Sequence, residues 1–515
     1  MDQTVESLPD VTPTSVSHRL FRLVKALNKA EKRAFRLYAT RAQGTADSLF
    51  LQLFDVLDQL SAPDDERVVR RLDLTPTRYA NLKRHLYREV LVAVRLLAAR
   101  RDLDCELREQ LDFAHILYAK GLFPDALRTL ARAKARAVEH RRDLLHFEIL
   151  EFEKLIEGRH VTRSRGDGDR VDRLVDESAA RSYDVLATSE LANVSLQIHG
   201  HYVLHGHSRN RAQRAATEAF WREIQTGPLD LDVRQPTFYQ RIHRFQAGMW
   251  YHYILLELDR AERRARSAAT LFELDPLMKA RDPALYGRVL YYVSLLAYLR
   301  GDAANTTRYA GRLVDYRRDH AGDLDDNGRA TIGVYAYLAG FNDLLLRHDF
   351  DAADALGARL RAEMQAGTLR PSAHRVALFR YRLAAVAAAR GEYSVALDHL
   401  NALLNTSPTA VASTELLINA RLLHALCHEA LGNRGLLEYD LANLTRFLRK
   451  TPAAAQVHHA LVAALRRRLN ADAAGRREAL AQLGERVAEL QSDPFEAKAL
   501  RYLDVELWLQ RAGDP

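Results

Sequence analysis

His199, His201, His205 and His207 place four imidazoles within nine residues. On a helix His201 and His205 lie one turn apart on one face, so both could bind one transition metal. No Glu stands between them to serve as general base, as the helical zinc-protease motif requires, and Gly200 and Gly206 flank the pair. The expectation is a helix end with solvent-facing histidines and no metal site, His201 and His205 being the nearest approach to one. His424, Cys427 and His428 offer three ligand types on one helix, but a cysteine there is commonly just a small buried residue. Asp323, Asp325 and Gly328 imitate the start of an EF-hand loop; its twelfth position is Val334, where calcium needs a bidentate Glu. That acidic turn reads instead as the cap of a helix starting near Arg329. No phosphate-loop Lys follows the glycines of Arg163–Arg170, and no G-x-S-x-G, H-E-x-x-H or paired-carboxylate motif occurs. With no catalytic constellation to argue from, the expectation is a non-enzyme without a cofactor.

Other side chains are spaced for binding. Tyr239, His243, Gln246 and Trp250 form a stripe opposite an apolar face made by Phe238, Ile242, Phe245, Met249, Tyr253 and Leu256. Amphipathic aromatics in such a stripe suit peptide binding, and Tyr291 and Tyr298 on a later helix would extend it. Arg128, Arg132, Arg136 and His140 recur every fourth residue and read as a solvated face.

Charge is distributed unevenly. The formal balance is +8, yet residues 18–101 alone carry +9, residues 1–17 carry −3 and residues 102–515 carry +2. Arg19–Arg41 holds eight cations against one acid, Glu31. Clustered positive charge attracts phosphate backbones or acidic protein surfaces. Against a ligand-specific reading stands composition: 65 of the 75 basic residues are Arg, the mark of a generally arginine-rich chain.

These side chains must be positioned by helices. Leu82, Leu86, Val90, Val94 and Leu97 are spaced by three or four, and no stretch alternates long enough to argue for a sheet. Prolines fall between periodic runs or at helix starts. Asn28 and Glu31 approximate a capping box before a helix over 29–40. Helices over 46–60 and 65–72 follow, and Thr75-Pro76 starts a long helix reaching about Arg100. Short helix, tight turn and longer basic helix make a helix-turn-helix outline, with Arg78, Asn81, Arg84, His85 and Arg88 placed to face phosphates and base edges.

Beyond residue 101 a turn recurs. Gly121-Leu-Phe123-Pro-Asp-Ala126 matches Gly391-Glu-Tyr393-Ser-Val-Ala396, and His348-Asp-Phe350-Asp-Ala-Ala353 fits with His in place of Gly. Gly301 and Gly432 begin weaker copies, and Leu204–Ala216 and Leu255–Ser267 are further candidate turns. Glycine tolerates the left-handed residue that ends one helix, the aromatic packs back over the turn, and the small residue lets two helices approach. These turns resemble those of tetratricopeptide repeats over about residues 105–510, although intervals of 47, 43 and 41 residues exceed that family's unit of about 34. The resemblance implies an all-α, right-handed TPR-like superhelix of helical hairpins whose groove binds a peptide or helix of a partner.

The expected organisation is a disordered N-terminal tail (1–17), a basic helical domain (18–101) and a TPR-like α-solenoid (102–515). The expected function is a non-catalytic interaction scaffold or adaptor. The alternative is a nucleic-acid-binding regulator touching DNA or RNA through residues 18–101. At 48% hydrophobic and 28% charged residues the chain can build a core. Two cysteines, Cys105 and Cys427, exclude a disulfide framework. The longest run without a polar side chain, Leu383–Ala389, is too short for a membrane span, and a cytoplasmic location is the simplest expectation.

Overall fold

Apolar spacing by threes and fours becomes helix throughout. A computed structural model describes residues 18–43, 49–160, 169–225, 235–406, 413–451 and 454–513; among these there are 25 helices and no strand. The expected tail, 1–17, lies outside the described residues, as does most of the Arg163–Arg170 loop. None of the helices is long and apolar enough to cross a membrane.

The chain divides into two compact units, Thr12–Leu186 and Ala187–Pro515 with Met1–Val11. The first contains α1 (Arg19–Ala26), α2 (Lys29–Gln43), α3 (Leu49–Gln59), α4 (Asp65–Arg71), α5 (Pro76–Ala98), α6 (Leu103–Ala119), α7 (Phe123–Glu139), α8 (Asp143–His160) and the start of α9 (Arg170–His205). Two separate cores hold it. Phe35, Phe54, Leu86 and Val90 belong to one, and Leu107, Leu127, Leu130, Ile149 and Ile156 to the other. Local signals work as written. Glu31 Oε2 accepts from Asn28 N at 2.8 Å while Asn28 Oδ1 accepts from Glu31 N at 3.0 Å, and Thr75 Oγ1 accepts from Arg78 N. Asp65 fixes α4 to α5 by accepting from Tyr79 Oη and Lys83 Nζ, each at 2.7 Å.

The second unit continues with α10 (Arg211–Gln225), α11 (Phe238–Ile254), α12 (Leu258–Glu273), α13 (Pro276–Arg281), α14 (Pro283–Arg300), α15 (Ala303–Asp319), α16 (Asp326–Leu346), α17 (Phe350–Gln365), α18 (Ala373–Ala389) and α19 (Tyr393–Leu404). It ends with α20 (Thr414–Ala430), α21 (Arg434–Lys450), α22 (Gln456–Asn470), α23 (Ala473–Leu490), α24 (Pro494–Leu503) and α25 (Val505–Gly513). From α11 to α23 each helix packs on its sequence neighbour. The first helices of successive hairpins also stack, α14 on α16, α16 on α18 and α18 on α20. This is an all-α helical-repeat fold. Helix α9 runs 36 residues; Gly200 lies inside it and no proline interrupts it.

The turns are as the sequence implies, and more numerous. Gly301 at φ 74° ends α14, with Gly301 N donating to Tyr298 O and Asp302 N to Ala297 O, both at 3.0 Å. Arg141, Leu256 and His348 adopt the same left-handed conformation without being glycine. Ala126, Ala353 and Ala396, the small residues that close these turn motifs, are wholly buried.

Two glycines should respond oppositely to added bulk. A Cβ on Gly287 would lie 2.8 Å from Cγ1 of buried Ile332, where α14 meets α16. Gly287→Val is expected to destabilise by about 1–3 kcal/mol. Gly311 sits in α15 with nothing near its Cβ position, so Gly311→Ala is expected to stabilise by about 0.5–1 kcal/mol. Urea midpoints measure both.

Candidate functional site

The stacked first helices α14, α16, α18 and α20 give the second unit a wall of small and aromatic side chains. Tyr298, Tyr381, Ala385, Ala388, Leu423 and Cys427 line a cavity of about 480 Å³ there, closed on its other side by residues of α24 and α25 such as Tyr502 and Trp508. The volume is that of a ligand or side-chain pocket. Cys427 is no nucleophile, because burial pushes its thiol up to about 12.

Helix α24 is seated by charges. Lys498 is 4% exposed, and its ammonium donates to both oxygens of Glu415 in the first turn of α20, at 2.8 and 2.6 Å. Burial pushes the Glu415 carboxyl up, but Lys498 and His207 outweigh it and leave the group at about 2. Burial also draws Lys498 below the lysine range, against the pull of Glu415. Glu496, on the same helix, accepts from Gln456 N at 2.8 Å and Val457 N at 2.9 Å, so an anion caps the N-terminus of α22.

The end of α24 is held by its carbonyls, which no intrahelical donor satisfies. Tyr298 Oη donates to Arg501 O at 3.0 Å and Tyr381 Oη to Tyr502 O at 2.7 Å. Between these tyrosines lies Arg382, 7% exposed, donating to Asn342 Oδ1 at 2.7 Å and covering the rings of Tyr298 and Tyr502. Past the helix end, His348 Nε2 is 3.3 Å from Asp504 Oδ2, and Arg511 donates to Ala388 O at 3.3 Å.

The anticipated binding residues lie on α11 and α14. Tyr239, His243, Gln246 and Trp250 are half-buried on α11. Tyr239 and His243 stack, whereas Trp250 joins a cluster with His199, Tyr202 and Tyr292. Tyr291 and Tyr298 do not extend a surface. Both are buried, Tyr291 stacking on Tyr335 at 4.7 Å, because α14 is covered by neighbours all round. Tyr298 alone of the six reaches the cavity, as a hydrogen-bond donor. Sequence reasoning missed Glu415, Lys498, Tyr381, Arg382 and Tyr502. One signal was present, Lys498 being one of ten lysines in a chain that otherwise writes its cations as Arg.

The metal candidates also change. His201 and His205 lie on the last turns of α9 with rings 4.6 Å apart, but His201 stacks on Phe220 and meets Thr217 Oγ1 at 3.3 Å. The described residues that could hold an ion are His424 and His428 with Asp440 from α21, their ligand atoms within 4.8 Å. Both His424 nitrogens are already engaged, by Asp440 at 2.6 Å and Asn401 at 3.1 Å.

On the first unit, Arg78, Asn81, Arg84, His85 and Arg88 are all exposed along α5. His85 lies 3.9 Å from Glu89 and edge-on to Phe50. The α2 charges are partly spent, Lys32 pairing with Asp58 and Arg36 with Asp55 of α3.

No family model and no curated protein matches the chain. Among solved structures it is similar to the apo form of RapI, at 13% identity and a TM-score of 0.39, over 79% of this chain and 96% of that one.

Acid should loosen the second unit before its carboxylates titrate. Burial drives the imidazole of His207 down to about 3, and those of His399 and His458 to about 4. All three are neutral when folded and near 6.5 when unfolded, so their contribution is full above about pH 6.5 and is lost as pH falls toward 3–4. Urea unfolding at pH 7.5, 6.0 and 5.0 is expected to show falling stability, by up to ~1.4 kcal/mol per pH unit for each histidine. A flat profile would contradict the buried neutral state.

Proposed function

We propose that this chain is a non-catalytic interaction scaffold that binds a helical segment of a partner protein in the groove walled by α14, α16, α18 and α20. One observation carries the reading: the groove already accepts a helix, α24, using side chains that recognise helix ends and a cation rather than shape alone. A cavity remains beside that helix, and the cysteine within it is too buried to react. A display library of helical peptides, selected on the intact protein, is expected to yield binders. Ala385→Trp and Ala388→Trp, which fill the cavity, are expected to weaken them at least tenfold without lowering the melting temperature by more than a few degrees. Binders indifferent to both substitutions would refute the groove.

A second reading rests on α5. Arg78, Arg84 and Arg88 are exposed and form no ion pair among the described residues, a row fit for phosphates. It makes the chain a nucleic-acid-binding regulator with the repeats as partner module. Full-length protein is then expected to bind duplex DNA or single-stranded RNA with affinity falling steeply in salt. Arg84→Glu with Arg88→Glu is expected to cost at least tenfold and flatten the salt slope. An unchanged double variant would remove this helix as the contact.

A further inference from the structure

We infer that residues 494–513 are a built-in occupant of the groove, and that the partner helix displacing them carries a lysine, an aromatic residue four positions later, and unpaired C-terminal carbonyls. This rests on the groove reading above and names the chemistry of its ligand.

The groove sets three demands on whatever fills it. Glu415, its side chain 33% exposed, presents a carboxylate that a cation placed where Lys498 now sits matches; stripping that cation away would leave the carboxylate without its ion pair beside buried His458 and Asn419. Tyr298 and Tyr381 aim hydroxyls at main-chain carbonyls of the last turn, a requirement any helix end meets whatever its sequence. Arg382 offers its guanidinium face to an aromatic ring, now that of Tyr502. Lys498 and Tyr502 are one turn apart on α24 and face the groove together.

The resident segment meets these demands imperfectly. It leaves the cavity of about 480 Å³ unfilled beside Tyr502 and Trp508. Where it leaves the groove, Asp504 is left-handed at φ 46°, and its partner His348 is left-handed at φ 54°. Two non-glycine residues in that conformation, facing each other across the contact, store backbone strain. The helix is short, 10 residues, and ends at that Asp504 break. A helix that keeps the lysine and the aromatic but fills the cavity gains contacts the resident lacks, so exchange is a competition rather than a simple docking.

The test adds a fluorescent peptide of residues 491–513 to the full-length chain and to full-length Lys498→Met and Tyr502→Ala, each first shown by circular dichroism to melt cooperatively. Both variants are expected to bind the peptide at least tenfold more tightly than the unaltered chain. That gain is expected to vanish when Glu415→Gln is added, and peptide carrying Lys498→Met is expected to bind at least tenfold more weakly. Equal affinity for unaltered and variant chains overturns the proposal. Hydrogen exchange on the unaltered protein gives a measure that needs no variant. Amides of α24 and α25 are expected to exchange at least tenfold faster than those of α20, and equal protection overturns the proposal. Dimers of the variants seen by light scattering without peptide would assign the groove to a second copy and overturn it too. Library peptides that depend on Ala385 and Ala388 but not on Lys498 would sink the resident occupant while leaving the groove reading intact.

Discussion

A two-helix hairpin cannot bury all its apolar surface by itself, and this chain solves the problem by stacking. Helices α16, α18 and α20 each meet their own partner and the first helices before and after them. This many-sided burial explains why α14, α16 and α18 are buried nearly all round rather than along one stripe. Tyr286, Tyr291 and Tyr298 all disappear into the interior of α14, and Tyr335 and Tyr337 into that of α16. It also explains why close approach is specified by missing side chains, as at Gly287 against Ile332 and Gly357 against Leu383.

Stacking leaves one wall of first helices to be covered, and residues 494–513 cover it. The contacts are of an unusual kind for a core. A bidentate lysine–carboxylate pair, two tyrosine-to-carbonyl bonds and an arginine between two rings are directional and easily mismatched. Apolar packing from Leu500, Leu503 and Val505 holds the same segment from the other side. The balance of directional and apolar contacts suits an element that must be in place but replaceable.

Many of the arginines are structural. Arg300 pairs with Asp259 and Glu262, Arg317 with Glu363, Arg468 with Glu429 and Arg390 with Glu392, each joining helices or closing a turn. In the first unit, Asp55 and Asp58 of α3 take up charge that the linear sequence left unbalanced on α2. What stays free along α5 stands out against this background of pairing.

Much of the fold was legible because its signals are local. Helix period, the Asn28–Glu31 and Thr75 caps, the Asp325 cap of α16 and the turns at Gly121, Gly301 and Gly391 are decided by residues within a few positions of one another. The turn at Arg141, and that at Leu256 inside the candidate window Leu255–Ser267, were less plain, since there the left-handed residue is not a glycine. The groove was illegible for the opposite reason. Glu415 and Lys498 are 83 positions apart, Tyr298 and Arg501 203 apart, and Tyr381 and Tyr502 121 apart. Hydrophobic period tells which face of a helix is covered but not by what. The sequence by itself therefore determined a stack of helical hairpins and a basic α5, whereas only tertiary structure decided which tyrosines are buried, which cations are spent, and that α24 lies in the groove.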